Sequence, residues 1–272
     1  MSLFSVLKLL VPPGLRPTGL ASRLLRRLRS DGRIGAGIFA GMRYTRGSIC
    51  SANSPKLLGV YEIELKPIFD SLWPLSFPRI VIVGAAEGYY AVGCALKWLS
   101  ASVIAFESSA EGRELLGQVV ELNGVKERID IRGHCSVESL RDAVAVSGTG
   151  LLLMDVEGGE TDLLDSTLLG ALSAYHLIVE IHDFVDPGIA DCLRKRFQPS
   201  HRVQEIWTRP RKLSDFQMPS FLPLRWYMLR GLRASSKEYR PGQMRWFYLA
   251  PRQSEPAQCS RQPARLEQSL KV

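Results

Sequence analysis

Between about residues 79 and 197, short apolar runs alternate with stretches in which apolar residues recur every three or four positions. Runs of the first kind fit buried strands, and the longer period fits amphipathic helices. Arg79-Ile-Val-Ile-Val predicts a strand ending at Gly84, and 88–99 a helix carrying Tyr89, Val92, Cys94, Ala95, Leu96 and Trp98. The alternation continues with Ser102-Val-Ile-Ala-Phe (strand), 109–123 (helix), Ile129-Asp-Ile (strand) and 136–145 (helix). Leu151-Leu-Leu-Met (strand), 160–172 (helix), His176–Ile181 (strand) and 187–197 (helix) complete it. Gly59–Leu65, ahead of the first strand, reads as an amphipathic helix. Beyond residue 200, Arg202–Trp207 and Met244–Ala250 read as two more strands. The stretch 208–243 between them, rich in Arg, Pro and aromatics, reads as a lid, because a loop that long in a compact domain is usually functional. The expected fold is therefore α/β and Rossmann-like. It has a mostly parallel seven-stranded sheet, an antiparallel last strand, and helices on both faces.

Charge divides the chain where the pattern does not. The net charge of +8 over 272 residues resolves into +9 for residues 1–56, −10 for 57–199 and +9 for 200–272. Three regions are expected: a basic N-terminal extension (1–56), a folded α/β domain (57–251) and a disordered tail (252–272) rich in Gln, Ser, Pro and Arg. An acidic body with basic flanks is not a nucleic-acid-binding domain, so no nucleic-acid partner is expected. Leu20, Leu24, Leu25 and Leu28 interleave with Arg23, Arg26, Arg27 and Arg29. Such a stretch is either a solvated helix or a peripheral contact with an anionic membrane. The first ten residues are apolar but fall short of the roughly 20 needed to span a bilayer, and no basic segment precedes them. The five cysteines are widely spaced without a CxxC pair, which argues against a disulfide framework and a zinc site. A cytoplasmic protein is the simple reading.

Candidate chemistry collects at the predicted strand ends, where open α/β sheets bind ligands. Val83-Gly84-Ala85-Ala86-Glu87-Gly88 offers two glycines between a strand and a helix, which let the backbone turn tightly against a ligand. Glu107 ends the next strand, about 20 residues on, where an acid accepts hydrogen bonds from the ribose hydroxyls of a nucleoside cofactor. Its alternative role is to cap the following helix, which Ser108 or Ser109 could also do. Asp155, Glu157 and Glu160 follow the fourth strand within six residues and would repel one another unless paired, protonated or metal-bound. The alternative role of Glu160 is only to open the next helix, where its charge complements the helix dipole. Glu180 and His182 close the fifth strand and face the same way, since strand side chains alternate.

The order GAAEGYY, Phe-Glu, MDVEGGE and VEIHD resembles the FkbM-type methyltransferases, which use S-adenosyl-L-methionine (SAM) to methylate hydroxyl groups, often on sugars or natural products. The likeness covers about residues 79–183, and DVEGGE is its most specific part. It implies the class I SAM-dependent methyltransferase fold, with cofactor contacts at Gly84, Gly88 and Glu107, and further cofactor contacts are expected beside them at Ala85, Glu87 and Asp155. It also implies pocket or substrate roles for Glu157 and Glu160, and leaves His182 and Glu180 with Asp155 as the catalytic group. Ile82 and Ala86 stand where the family often has Asp and Asn, and Glu87 is the residue that could replace those polar contacts in part. A neutral hydroxyl acceptor needs a base or a divalent metal, and the Asp155/Glu180/His182 cluster could supply either. The expected substrate is a small molecule or glycan. No Asn/Asp-Pro-Pro-aromatic tetrad follows strand four, which argues against methylation of nucleobase amines. Two other readings stay open: a binding protein retaining a decayed methyltransferase fold, and a NAD-dependent oxidoreductase, which would prefer GxGxxG.

Overall fold

The computed structural model describes residues 30, 32–45, 47–49, 52–146, 148–216 and 242–252. One sheet runs in the order β3-β2-β1-β4-β5-β7-β6. Strands β1 (Arg79–Val83), β2 (Ser102–Phe106), β3 (Ile129–Arg132), β4 (Gly150–Met154) and β5 (Tyr175–Ile181) are parallel neighbours. Strand β7 (Arg245–Pro251) lies antiparallel between β5 and β6 (His201–Trp207). This is the Rossmann-like class I methyltransferase fold, with its closing antiparallel strand.

Successive residues of a strand point to opposite faces, and the apolar runs feed two separate cores. Ile80, Ile82, Val103, Ala105, Leu151 and Leu153 enter one. Val81, Val83, Ile104, Phe106, Leu152 and Met154 enter the other. In chain order the helices are α1 (Asn53–Leu58), α2 (Lys66–Leu72), α3 (Tyr89–Lys97), α4 (Ala110–Asn123), α5 (Val137–Val144), α6 (Glu160–Leu163), α7 (Leu169–Leu172) and α8 (Ile189–Phe197). Helices α2, α3 and α4 cover the first face, and α5 and α8 cover the second.

Three expectations change. The stretch 160–172 is not one helix: α6 stops at Leu163, the Asp165 side chain accepts from Thr167 N, and a 3-10 turn leads into α7. Asp, Ser and Thr compete with the helical backbone for hydrogen bonds and favour such caps. Gly59–Leu65 is also not an amphipathic α-helix, and only Ile63–Leu65 form a 3-10 turn. Gly59 ends α1 in the left-handed conformation (φ 72°), and Glu62 is left-handed too (φ 43°). Only glycine fits at 59, since a Cβ there would lie 2.0 Å from the Ala36 carbonyl oxygen.

That contact bears on the third change. Ile34, Ile38, Phe39, Met42 and Tyr44 sit inside the first core, so part of the stretch read as a basic extension packs as an integral piece of the domain. Phe39 meets the rings of Tyr89 and Phe69 at centroid distances of 5.1 and 5.6 Å. The amphipathic stretch 20–29, most of the proposed lid (217–241) and nearly all of the tail (253–272) lie outside the described residues. No helix among the described residues is long and apolar enough to cross a membrane.

Candidate active site

A cavity of about 480 Å³ opens at the carboxyl ends of β1 to β4. Its first wall is the β1–α3 turn, which takes left-handed conformations at Gly84 (φ 81°), Ala86 (φ 46°) and Gly88 (φ 96°). A Cβ on Gly84 would lie 1.8 Å from the Asp155 carbonyl oxygen, and one on Gly88 would lie 2.5 Å from Leu116 Cδ1. Gly84 N and Ala85 N both donate to the Phe106 carbonyl, at 3.0 and 2.9 Å, and Asp155 N donates to Val83 O at 2.9 Å. The turn is thereby locked to the ends of both neighbouring strands. Gly84 and Ala86 line the cavity, while Ala85 and Gly88 shape the turn behind it.

Glu107 lines the cavity from the tip of β2. Its Oε2 accepts from Ala86 N at 2.7 Å and its Oε1 from Ser109 N at 2.8 Å. Ser109 itself caps α4, its side chain accepting from Gly112 N at 3.2 Å, so the capping alternative for Glu107 is filled by a neighbour. A carboxylate oxygen has two acceptor positions. The two backbone bonds fix the orientation of the Glu107 carboxylate and leave it capacity for ligand hydroxyls. Capacity of that kind, beside a glycine turn and a cavity within the ~300–1,000 Å³ of small-molecule sites, fits the ribose of a nucleoside cofactor.

Acidic side chains converge on His182 past the end of β4. Glu160, the first residue of α6, is fully buried, and its Oε1 bonds His182 Nδ1 while also accepting from Gly158 N at 3.2 Å. With Nδ1 engaged, Nε2 faces Asp155 Oδ1 at 3.5 Å, Glu157 Oε2 at 3.6 Å and Glu180 Oε2 at 4.0 Å. Burial alone would lower the His182 pKa, but the bond to Glu160 and the fields of Glu160, Glu180 and Glu157 prevail and raise it. Glu157 is left-handed (φ 53°), and Gly158 after it (φ 107°) packs so closely on Val185 that a Cβ would meet Cγ1 at 2.7 Å. This tight turn carries Glu157 back over His182. Asp155, Glu157 and His182 each offer one ligand atom, all within 4.8 Å of one another, so a metal set exists with Glu157 in the place expected for Glu180.

Of the residues singled out from sequence, Gly84, Glu107, Asp155 and Glu157 line the cavity directly. His182, Glu180 and Glu160 stand behind Asp155 and Glu157, each buried. Glu160 therefore braces the histidine and does not reach a substrate. Glu87, expected at the cofactor, also turns away. Fully buried, it accepts from Tyr44 Oη at 2.9 Å, Ser48 Oγ at 2.6 Å and the Lys56 ammonium. Burial would raise its pKa, but the charge and hydrogen bond of Lys56 and the bond from Ser48 lower it. Ile82 is sealed in the apolar core, so no polar contact at the cavity is missing from that side chain.

Sequence reasoning missed Phe106, Ser108, His134, Cys135, Val156, Asp162 and Leu163 as lining residues. A signal was available for most of them. They end or directly follow β2, β3 and β4 at the same sheet edge. Burial pushes the Cys135 thiol up to about 11, so it presents no thiolate at neutral pH.

No protein-family model matches the sequence, and no curated protein matches it either. Among solved structures, a candidate O-methyltransferase from Klebsiella pneumoniae is 13% identical with a TM-score of 0.45, covering 91% of this chain and 95% of that one. The O-methyltransferase from Bacillus cereus, solved with S-adenosylhomocysteine, is 12% identical with a TM-score of 0.43, covering 66% of this chain and 77% of that one. A SAM-dependent O-methyltransferase from Thermotoga maritima is 12% identical with a TM-score of 0.40, covering 68% of this chain and 63% of that one.

Proposed function

We propose that this chain is a SAM-dependent methyltransferase of the FkbM kind, acting on a hydroxyl oxygen of a sugar, glycan or other small metabolite. The observation that carries the reading is Glu107. A carboxylate at the tip of β2 is oriented by the backbone of the glycine turn it faces, inside a cavity whose opposite wall is acidic. When bound, SAM supplies a methyl group made electrophilic by its sulfonium. The residues of the chain then have three tasks: to hold the cofactor, to exclude water and to accept a proton. Glu107 would hold the ribose hydroxyls, and the bare backbone of Gly84 and Ala86 would allow the cofactor a close approach. Phe106, Val156 and Leu163 supply apolar wall that excludes water. Asp155, Glu180 and His182 form the group at which the acceptor proton leaves. Of these, Asp155 faces the cavity, and His182 Nε2 stands behind it with its ring fixed by Glu160.

Calorimetry with SAM and with NAD, followed by product analysis with labelled SAM and a cell extract, tests the proposal. Binding of SAM without NAD, and label recovered in a methyl ether, is the expected result. Binding of NAD alone would overturn it, and so would SAM binding with no transfer of label.

A further inference from the structure

We infer that Asp155, Glu157 and His182 form a site for a divalent first-row transition cation such as Mn2+, with His182 Nε2 as its nitrogen ligand. Geometry is the first support. Nε2 lies 3.5 Å from Asp155 Oδ1 and 3.6 Å from Glu157 Oε2, too far for strong hydrogen bonds. With metal–ligand bonds of about 2.1 Å, such separations subtend roughly 110–120° at a shared ion, near the tetrahedral angle. The third separation is within 4.8 Å, and the Glu157 side chain, 71% exposed, can rotate inward to close it.

The second support is the far side of the ring. Histidines that bind metals almost always donate their other nitrogen to a carboxylate or carbonyl, which fixes the tautomer and the ring plane. Glu160 does this to Nδ1 from a fully buried position at the start of α6. A proton held on Nδ1 leaves the Nε2 lone pair directed at Asp155 and Glu157. The ligand set selects the ion class. Two carboxylates would suit Mg2+, Ca2+ or Mn2+, and an imidazole added to them suits Fe2+ or Zn2+, so Mn2+ serves as the spectroscopic probe of a mixed set. Asp155 and Glu157 also line the cavity, so a cation between them would be open on one side to an acceptor hydroxyl, whose acidity it would raise. His182 then acts within the Asp155/Glu180/His182 group as a ligand, and the acceptor proton leaves to a carboxylate of that group.

The inference rests on the methyltransferase reading only for what the cation would do, not for whether it binds. The test therefore measures binding without cofactor. Full-length chain stripped with EDTA is titrated with Mn2+ by calorimetry, and the bound ion is examined by pulsed electron paramagnetic resonance. One Mn2+ per chain with a nitrogen coupling from imidazole is the expected result. Asp155→Asn, Glu157→Gln and His182→Ala should each weaken binding at least tenfold, and His182→Ala should abolish the nitrogen coupling. Glu160→Gln, a change to a positioning residue, should weaken binding about 10- to 100-fold. Because Glu157 is exposed, Glu157→Gln tests the site even where a buried variant misfolds. Glu107→Ala should leave Mn2+ affinity unchanged and weaken SAM alone. Failure of the wild-type chain to bind Mn2+ stoichiometrically, or wild-type affinity in both Glu157→Gln and His182→Ala, would overturn the site. Mn2+ binding in a chain that takes no SAM would leave the site standing and remove the methyltransferase reading.

Discussion

Gly84 and Asp155 touch backbone to backbone: a Cβ added at Gly84 would sit 1.8 Å from the Asp155 carbonyl oxygen. One contact thus sets the distance between the turn that would cradle a cofactor and the first acid of the proposed cation site. Gly84 is left-handed (φ 81°), so Gly84→Ala adds conformational strain of about 1–3 kcal/mol to the collision. The variant is expected to melt at a lower temperature and to lose SAM binding, as read by scanning and titration calorimetry. Wild-type values for both would show that the turn is not built around this contact.

Glu107 makes a more selective prediction. Removing its carboxylate deprives the ligand of an acceptor for two buried donors, at roughly 1–3 kcal/mol, or up to about a hundredfold in SAM affinity. Glu107→Ala also removes the bonds that Ala86 N and Ser109 N donate. Glu107→Gln, which keeps one acceptor oxygen, should therefore lie between wild type and Ala. An unchanged dissociation constant in a folded Glu107→Ala protein would remove the ribose assignment.

How far the fold was legible depends on how local its determinants are. Strands β1 to β5 are short apolar runs whose alternate residues fill two cores, and their boundaries follow from pattern to within a residue or two. Gly84, Glu107 and Asp155 were legible as residues of the cavity wall because each sits at or just past a strand's carboxyl end. Non-local placement was not legible. Nothing in the local sequence around Phe39 says that it packs on α2 and α3, or that Gly37 and Gly59 approach within van der Waals contact. Glu87 misled for the same reason. Its position in the turn suggests a ligand contact, but its partners Tyr44, Ser48 and Lys56 lie dozens of residues upstream. Glu160 could be placed at a helix start, but only the tertiary fold brings it under His182.

The Lys56–Glu87 pair links the N-terminal segment to the glycine turn, and both side chains are almost completely buried. Breaking a buried pair from one side leaves an uncompensated charge, typically at 3–5 kcal/mol. Lys56→Met is expected to destabilise by that amount in urea titrations at neutral pH, and adding Glu87→Gln should recover part of it. The folded pKa of Glu87 is lowered, so its contribution is present above the ordinary carboxylate value and is lost as pH falls through the folded one. The penalty of Lys56→Met should accordingly shrink under acid. A penalty independent of pH would mean that Lys56 stabilises by packing on Tyr61 and not through Glu87.

His176 supplies the last prediction, because its charge state separates two pH regimes of stability. It lies buried on β5, edge-on to Phe77 at 5.6 Å and stacked on Tyr248 at 6.0 Å. The Tyr248 hydroxyl is 2.8 Å from Nδ1, while Nε2 is buried with no hydrogen-bond partner among the described residues. A second proton would place a cation in apolar surroundings, so burial, with a smaller repulsion from His201, brings the pKa from 6.5 down to about 4. The unfolded chain protonates near 6.5 and the folded chain does not, so stability falls as pH drops through that interval. The slope attributable to His176 should be roughly 1 kcal/mol per pH unit once partial screening is allowed for. It should level off below about 4, where both states carry the proton. His201, also lowered by burial, adds a slope of the same sign. His182 is raised, so its contribution is constant below 6.5 and lost only as pH rises above it. Between pH 6.5 and 5, above the range of Glu87, urea midpoints should therefore fall in the wild type and fall less in His176→Phe, which keeps a ring on Phe77 and Tyr248. Equal slopes in the two proteins would show that His176 takes up its proton in the folded state without cost.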